Sequence, residues 1–257
     1  DFCATSNPVD DGAFAAALER VGGGVILPTL RQREASGSSV FVDNIPAIPF
    51  RDKGFLASVN VVPDEDGVVC RMPLGLETAG IPRPSLASMV AERPAEAGLA
   101  FPIDYAIDPN SVPRHSFIDV VRGRVPAAEL RGKRILVGAT AVEMGDRYPV
   151  PQYGVVPGVV IQALAAETLL GGTVPVQSSG LWPLLLALLL TLAFVRNGRG
   201  PARPLVFAAG LLAVLALPLA TEHWLRISFP LAPALAALIL AAACTFALEC
   251  AGPLPLS

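Results

Sequence analysis

Three apolar runs near the carboxyl end constrain this chain more than any other feature. Ser178–Val195, Leu205–Ala220 and Phe229–Leu248 carry hardly a charge between them. About twenty apolar residues span the hydrocarbon core of a bilayer, so the third run suffices alone and the first two with their flanks. Pro183 falls in a first turn and Pro218 near an end, where a helix tolerates proline. The pattern predicts three transmembrane α-helices within residues 177–250, at about 178–195, 205–220 and 229–248, and a tail over 251–257.

Arginine placement gives these spans a direction. Arg196, Arg199 and Arg203 lie between the first two runs, whereas the second connection, Thr221–Ser228, holds only Arg226, offset by Glu222. The positive-inside rule makes the Arg-rich loop cytoplasmic. The expected location is the inner membrane, multi-pass, with membrane lipid as a partner. Residues 1–180 would be periplasmic or extracellular and the carboxyl terminus cytoplasmic.

The amino-terminal part has a different composition. Residues 1–180 hold 15 of the 19 Lys and Arg and 20 of the 22 Asp and Glu, a net charge of −5. Nucleic-acid binding needs a basic face and is argued against. Cys3 and Cys70 lie here, Cys244 and Cys250 in or beside the last run, with no zinc-type spacing. A Cys3–Cys70 disulfide is permitted outside the cytoplasm, and two separate thiols are the simpler reading.

Taken in order, the polar part alternates strands and helices. Asp10 or Asp11 caps a helix over Gly12–Val21 that ends at Gly22-Gly23-Gly24, and Val25-Ile-Leu-Pro reads as a short buried strand. Those glycines precede a strand, the reverse of a phosphate loop. Residues 31–53 read as irregular. Phe55–Pro63 and Val68–Leu74 read as a hairpin about the turn Pro63–Gly67. Pro84-Ser85 opens a helix over Leu86–Glu92, Phe101–Ile107 is a strand, and short helices follow at Ser116–Gly123 and Pro126–Leu130. The fold class is α/β with a mixed sheet.

Leu130–Gly172 connects the two parts. Arg131, Lys133 and Arg134 lead into Ile135–Val137, which reads as a buried strand closed by Gly138. A polar loop with Asp146 and Arg147 follows, and Pro157-Gly158 opens a helix that stops at Gly171-Gly172.

Catalytic signatures are missing: there is no GxSxG, P-loop, GxGxxG or HExxH. Ser111, His115, Ser116 and Asp119 are close in sequence, but a triad is a matter of geometry. Asp64-x-Asp66-Gly67 starts like a calcium loop and lacks its later ligands, so no metal is expected. Asp146-Arg147, beyond a strand's carboxyl end, is the most site-like pair. Asp64, Asp66, Arg71, Asp146 and Arg147 are the candidate ligand-binding residues, with no catalytic residue and no cofactor.

The ordered residues from Asp10-Asp11 through Gly24-Val-Ile-Leu-Pro, Val59-Asn60, Asp64-x-Asp66-Gly67-Val-Val, Arg71-x-Pro73-Leu74 and Pro84-Ser85-Leu86-Ala87 resemble the type-2 CHASE domain. So do Gly132-Lys133-x-Ile135-x-Val137-Gly138-Ala139-Thr140, Asp146, Pro151, Pro157-Gly158-Val159 and Leu169-Leu170-x-Gly172. The resemblance covers nearly all of residues 1–176. It implies an extracytoplasmic sensor for an unidentified ligand, in a bacterial receptor expected to be homodimeric. A transmembrane bundle would follow, and the cytoplasmic output would be a cyclase, a phosphodiesterase or a kinase. The family's anchor before Asp1 and its charged linker after the last run are absent, and Pro253 and Pro255 break any helix there. The expectation is a fragment or a protein without its effector. The alternative is a structural or partner-binding ectodomain with no ligand.

Overall fold

A computed structural model describes residues 7–34, 39–93, 96–172, 176–177, 181–196, 210–216, 219–220, 227–228, 234–240 and 243. The chain divides into two units, Asp1–Val174 and Pro175–Ser257.

The first unit opens with helix α1 (Pro8–Val21). Its cap is Asn7 rather than Asp10 or Asp11: the Asn7 side chain accepts from the Val9 N–H, and Pro8 takes the first position, where its missing donor costs nothing. Gly22, left-handed at φ +65°, ends the helix. Strand β1 (Ile26–Arg33) then forms the centre of a three-stranded mixed sheet. It pairs antiparallel with β2 (Phe41–Asn44) and parallel with β3 (Phe55–Ser58), with the short helix α2 (Ile48–Arg51) between those two in sequence. Leu18, Leu27 and Phe50 make a first core, with Phe14 edge-on to Phe50 at 5.1 Å.

Two expectations fail here. Residues 31–53 are not irregular, since they hold the end of β1, all of β2 and α2. The hairpin between Phe55–Pro63 and Val68–Leu74 does not form either. The Asp64–Gly67 turn is present, closed by Asp64 N–H to Val68 O at 2.9 Å, but β3 pairs with β1 instead. Strand β4 (Arg71–Pro73) finds its own distant partner, described below. Strand propensity marks an extended segment without naming its partner, which burial decides.

The chain continues through a tight hairpin of β5 (Gly75–Thr78) and β6 (Ile81–Pro84). Its two-residue loop, Ala79-Gly80, has φ of +52° and +75°, the left-handed pair that matches the twist of the strands. Helix α3 (Leu86–Val90) is capped by Ser85, whose Oγ accepts from the Ser88 N–H. Strand β7 (Ala100–Pro102) pairs antiparallel with β4. A 3₁₀ turn, Pro109–Ser111, and the short helices α4 (Phe117–Val121) and α5 (Ala127–Leu130) follow. The hairpin of β8 (Arg147–Val150) and β9 (Gly154–Pro157) then delivers the chain to helix α6 (Gly158–Leu170).

Ten of the thirteen residues of α6 are buried, so it is apolar nearly all round, as a central helix must be. Ile161, Leu164 and Ala165 are completely buried and pack with Val69, Met72, Ala87, Phe101 and Tyr105 in the main core. Arg93 donates to Leu169 O, and Thr168 Oγ accepts from the Asp104 N–H while donating to Leu164 O.

The segment before β8 departs furthest from expectation. Ile135–Val137 is not a buried strand: Ile135 is 57% and Val137 76% exposed, and no residue from Asn110 to Pro149 is buried. Among the described residues the backbone of 134–140 makes no hydrogen bond. Its apolar character reads as core in one dimension, yet Ile135 and Val137 stay in solvent while the neighbouring Gly138 lies against Val159 of α6.

In the second unit, β10 (Val176–Gln177) pairs parallel with β11 (Ile227–Ser228), and α7 spans Leu181–Arg196. Ala187, Val214, Ala234 and Leu238 form a small apolar cluster. No helix among the described residues is long and apolar enough to cross a membrane. At 16 residues, α7 is about 24 Å long against a hydrocarbon core of about 30 Å. The three predicted spans are therefore not supported, nor are the lipid partner, the multi-pass inner-membrane location or the inside–outside assignments that followed from them. The sequence runs counted apolar residues without asking whether one helix joins them. Much of the two later runs, and the tail 251–257, lies outside the described residues.

Candidate functional site

The Asp64–Arg71 loop is built by its own turn. Gly67 adopts φ +81°, and Asp66 Oδ1 accepts from the Val68 N–H at 3.0 Å, which folds the loop back on itself. Val69 then plunges into the core, and its N–H donates to Pro149 O in β8 at 2.9 Å. Tyr105, almost buried, donates its hydroxyl to Val69 O at 2.5 Å.

This anchoring gathers the loop's polar groups around one thiol. Cys70 is a free cysteine, and Cys3, its possible disulfide partner, lies outside the described residues. Burial pushes its thiol pKa up, and the Asp64 carboxylate, within hydrogen-bonding reach, pushes the same way, as does Asp66; Arg71 opposes them. Tyr105 is raised by burial first and then by Cys70 and Asp64. Three of the five candidates, Asp64, Asp66 and Arg71, therefore share one environment with Cys70, and Asp64 also reaches Tyr105. Sequence reasoning did not single out Cys70 or Tyr105. Cys70 could have been found as the neighbour of Arg71 on the return arm of the turn; Tyr105 had no sequence signal.

Asp146 and Arg147 do not act as a pair. As neighbours at the start of a strand they face apart. Arg147 donates to Val155 O across the β8–β9 hairpin at 2.8 Å. The Asp146 carboxylate lies over Gly158 at the start of α6, where the helix dipole favours negative charge. Tyr148, two residues on and so on the same face, is raised in pKa by burial and then by the charge and hydrogen bond of Asp146. That spacing of two was a legible signal.

The other constellations do not assemble. His115 Nε2 lies 3.3 Å from Glu129, Asp119 pairs with Arg124 at 2.8 Å, and Ser111 Oγ donates to Asp108 O. Ser111, His115 and Asp119 are thus each turned to a different partner, and Ser116 makes no side-chain capping bond at the start of α4. Among the described residues no group of three or more His, Cys, Asp or Glu could hold a metal ion.

The first unit is thus a mixed α/β domain with a polar loop seated on its core. The CHASE2 domain family matches residues 1–196, and the chain belongs to that family. No curated protein and no solved structure matches it.

Proposed function

We propose that the first unit is a sensory input domain that recognises a small polar ligand at the Asp64–Arg71 loop. The observation that carries this is the gathering of Asp64, Asp66 and Arg71 around Cys70, on a loop locked to the core at Val69, in a CHASE2 chain. Two carboxylates beside one guanidinium favour a ligand with a cationic group and an acceptor within the same small molecule.

Asp146 and Arg147 belong to this proposal as the receiving end. Val69 is bonded to Pro149, two residues beyond Arg147, and Asp146 sits on the first turn of α6. A displacement of the 64–71 loop would reach α6 through β8. The ligand can bias that helix only by its difference in affinity for the two arrangements.

The test is thermal unfolding of the whole chain against a panel of small cationic, anionic and zwitterionic solutes. A binder at a hundred times its Kd stabilises by about 2.7 kcal/mol. Asp64→Asn and Arg71→Ala should each abolish the shift while the unliganded Tm stays near that of the parent. A panel without effect, or a shift that both variants retain, would sink the reading.

A further inference from the structure

Strand β1 runs on beyond its parallel partner. Its register with β3 ends at Thr29 beside Ser58, and Val59 N–H still donates to Thr29 O at 3.0 Å. The next two bonds of a parallel ladder would be Arg31 N–H to Val59 O and Val61 N–H to Arg31 O. Neither forms. Arg31 N–H donates instead to Asn60 Oδ1 at 3.0 Å, and Asn60 Nδ2 donates to Arg31 O at 2.5 Å. The side-chain amide of Asn60 thus stands in for a backbone peptide, and the chain leaves the sheet after Val59. Ser58 steadies this amide, donating its hydroxyl to Asn60 Oδ1 at 3.0 Å and accepting from Asn60 N–H at 3.3 Å.

Helix α6 takes up the acceptor that the departure frees. Gln162, only 3% exposed, donates Nε2 to Val59 O at 3.1 Å. That bond fixes the orientation of the amide, because a flip would set two oxygens against each other. Gln162 Oε1 is then buried without a hydrogen-bond partner among the described residues. Val61 N–H makes no hydrogen bond among them either.

We propose that Asn60 and Gln162 form a two-position latch. In the observed position Val59–Val61 is peeled from β1 and caught by α6. In the other it is zipped onto β1 by the two ladder bonds, with both side-chain amides released. The exchange is nearly balanced, since two bonds of Asn60 are traded for two of the backbone. The remaining difference is the bond from Gln162 to Val59, and it holds in place an amide whose own acceptor is unsatisfied. Arrangements this close in free energy are moved by small biases. Zipping changes together the path of the chain into the Asp64–Arg71 loop and the hold on α6. The inference rests on this junction and is independent of a ligand at that loop.

Hydrogen exchange of the whole chain, read by NMR at single residues, tests the latch at the Val61 amide. Asn60→Ala removes the peptide surrogate, and Gln162→Met removes the catch while keeping the side chain's length, so both favour the zipped position. In each variant exchange at Val61 should slow by about fivefold or more, the weight of one hydrogen bond in the balance. Simple loosening of the junction would quicken it. An unchanged or faster Val61 amide in either variant that folds therefore overturns the proposal. Relaxation dispersion on the parent chain gives a reading that needs no substitution. Arg31 and Val61 should share one exchange process on the microsecond-to-millisecond scale, and flat profiles at both overturn the latch equally.

Discussion

The carboxylate of Asp146 rests on the α-carbon of Gly158, so closely that a Cβ built there would stand 2.5 Å from Oδ1. Gly158 N–H also donates to the Asp146 carbonyl at 3.0 Å. The start of the most buried helix is thus clamped by one residue from the loop before β8. Gly158→Ala must push the carboxylate aside and give up its place at the helix terminus, a loss of about 0.3–1 kcal/mol. In urea denaturation the Asp146→Ala and Gly158→Ala losses should not add, since both remove the same contact.

Gly138 makes the contrasting case. A Cβ there would meet Val159 Cβ at 2.5 Å and Cγ2 at 2.6 Å, atoms held on a β-branched side chain next to the backbone of α6. They cannot swing away as a carboxylate can. Gly138→Ala should therefore cost about 1–3 kcal/mol by overpacking, measured by the same denaturation. A Gly138→Ala protein as stable as the parent would show that this segment is not held against α6.

Leu164, completely buried at the middle of α6, has no polar role to complicate its loss. Leu164→Ala should destabilise by about 2–5 kcal/mol, combining lost transfer energy with the cavity left behind. The β5–β6 turn offers the opposite sign. Ala79 sits at φ +52°, where glycine carries no steric penalty, and the Ala79 N–H that donates to Asp43 is retained on substitution. Ala79→Gly should stabilise by up to about 1 kcal/mol, the left-handed strain exceeding the entropy that glycine adds to the unfolded chain.

Alkaline pH should unfold this domain through its tyrosines. Tyr105 and Tyr148 are both raised above the ordinary tyrosine value, chiefly by burial, with Asp64 and Cys70 adding for the first and Asp146 for the second. The unfolded chain releases these protons near pH 10 while the folded chain keeps them. Their contribution is therefore complete below that pH and is lost as pH rises through the folded values. Chemical denaturation between pH 8 and 11.5 should show falling stability above about pH 10. Tyr105→Phe should flatten that fall, while lowering stability at neutral pH by about 1 kcal/mol for the hydrogen bond to Val69.

Some of this architecture was legible residue by residue, where the signal is local. Ser85 as a cap, the Asp64–Gly67 turn and the helix opening at Pro157-Gly158 depend on chemistry within four residues, and each falls where its residues indicated. Of the candidate site, the residue types were legible but not their grouping. Asp64, Asp66 and Arg71 come together because a turn returns the chain on itself, whereas Asp146 and Arg147 are separated by the alternation of a strand.

The amino-acid order by itself determined local elements such as α1, α3 and α6, the Asp64–Gly67 turn, the alternation that makes this an α/β domain and, through an ordered set of residues, membership of the CHASE2 family. Only the tertiary structure decided which strand lies beside which, that Ile135 and Val137 stay exposed rather than entering the core, and that no helix among the described residues is long and apolar enough to cross a membrane. The reason is physical. Capping and turn formation are settled by neighbours in sequence, while pairing and burial are settled by competition among distant segments for the same core, and an apolar run carries no mark of whether it will win.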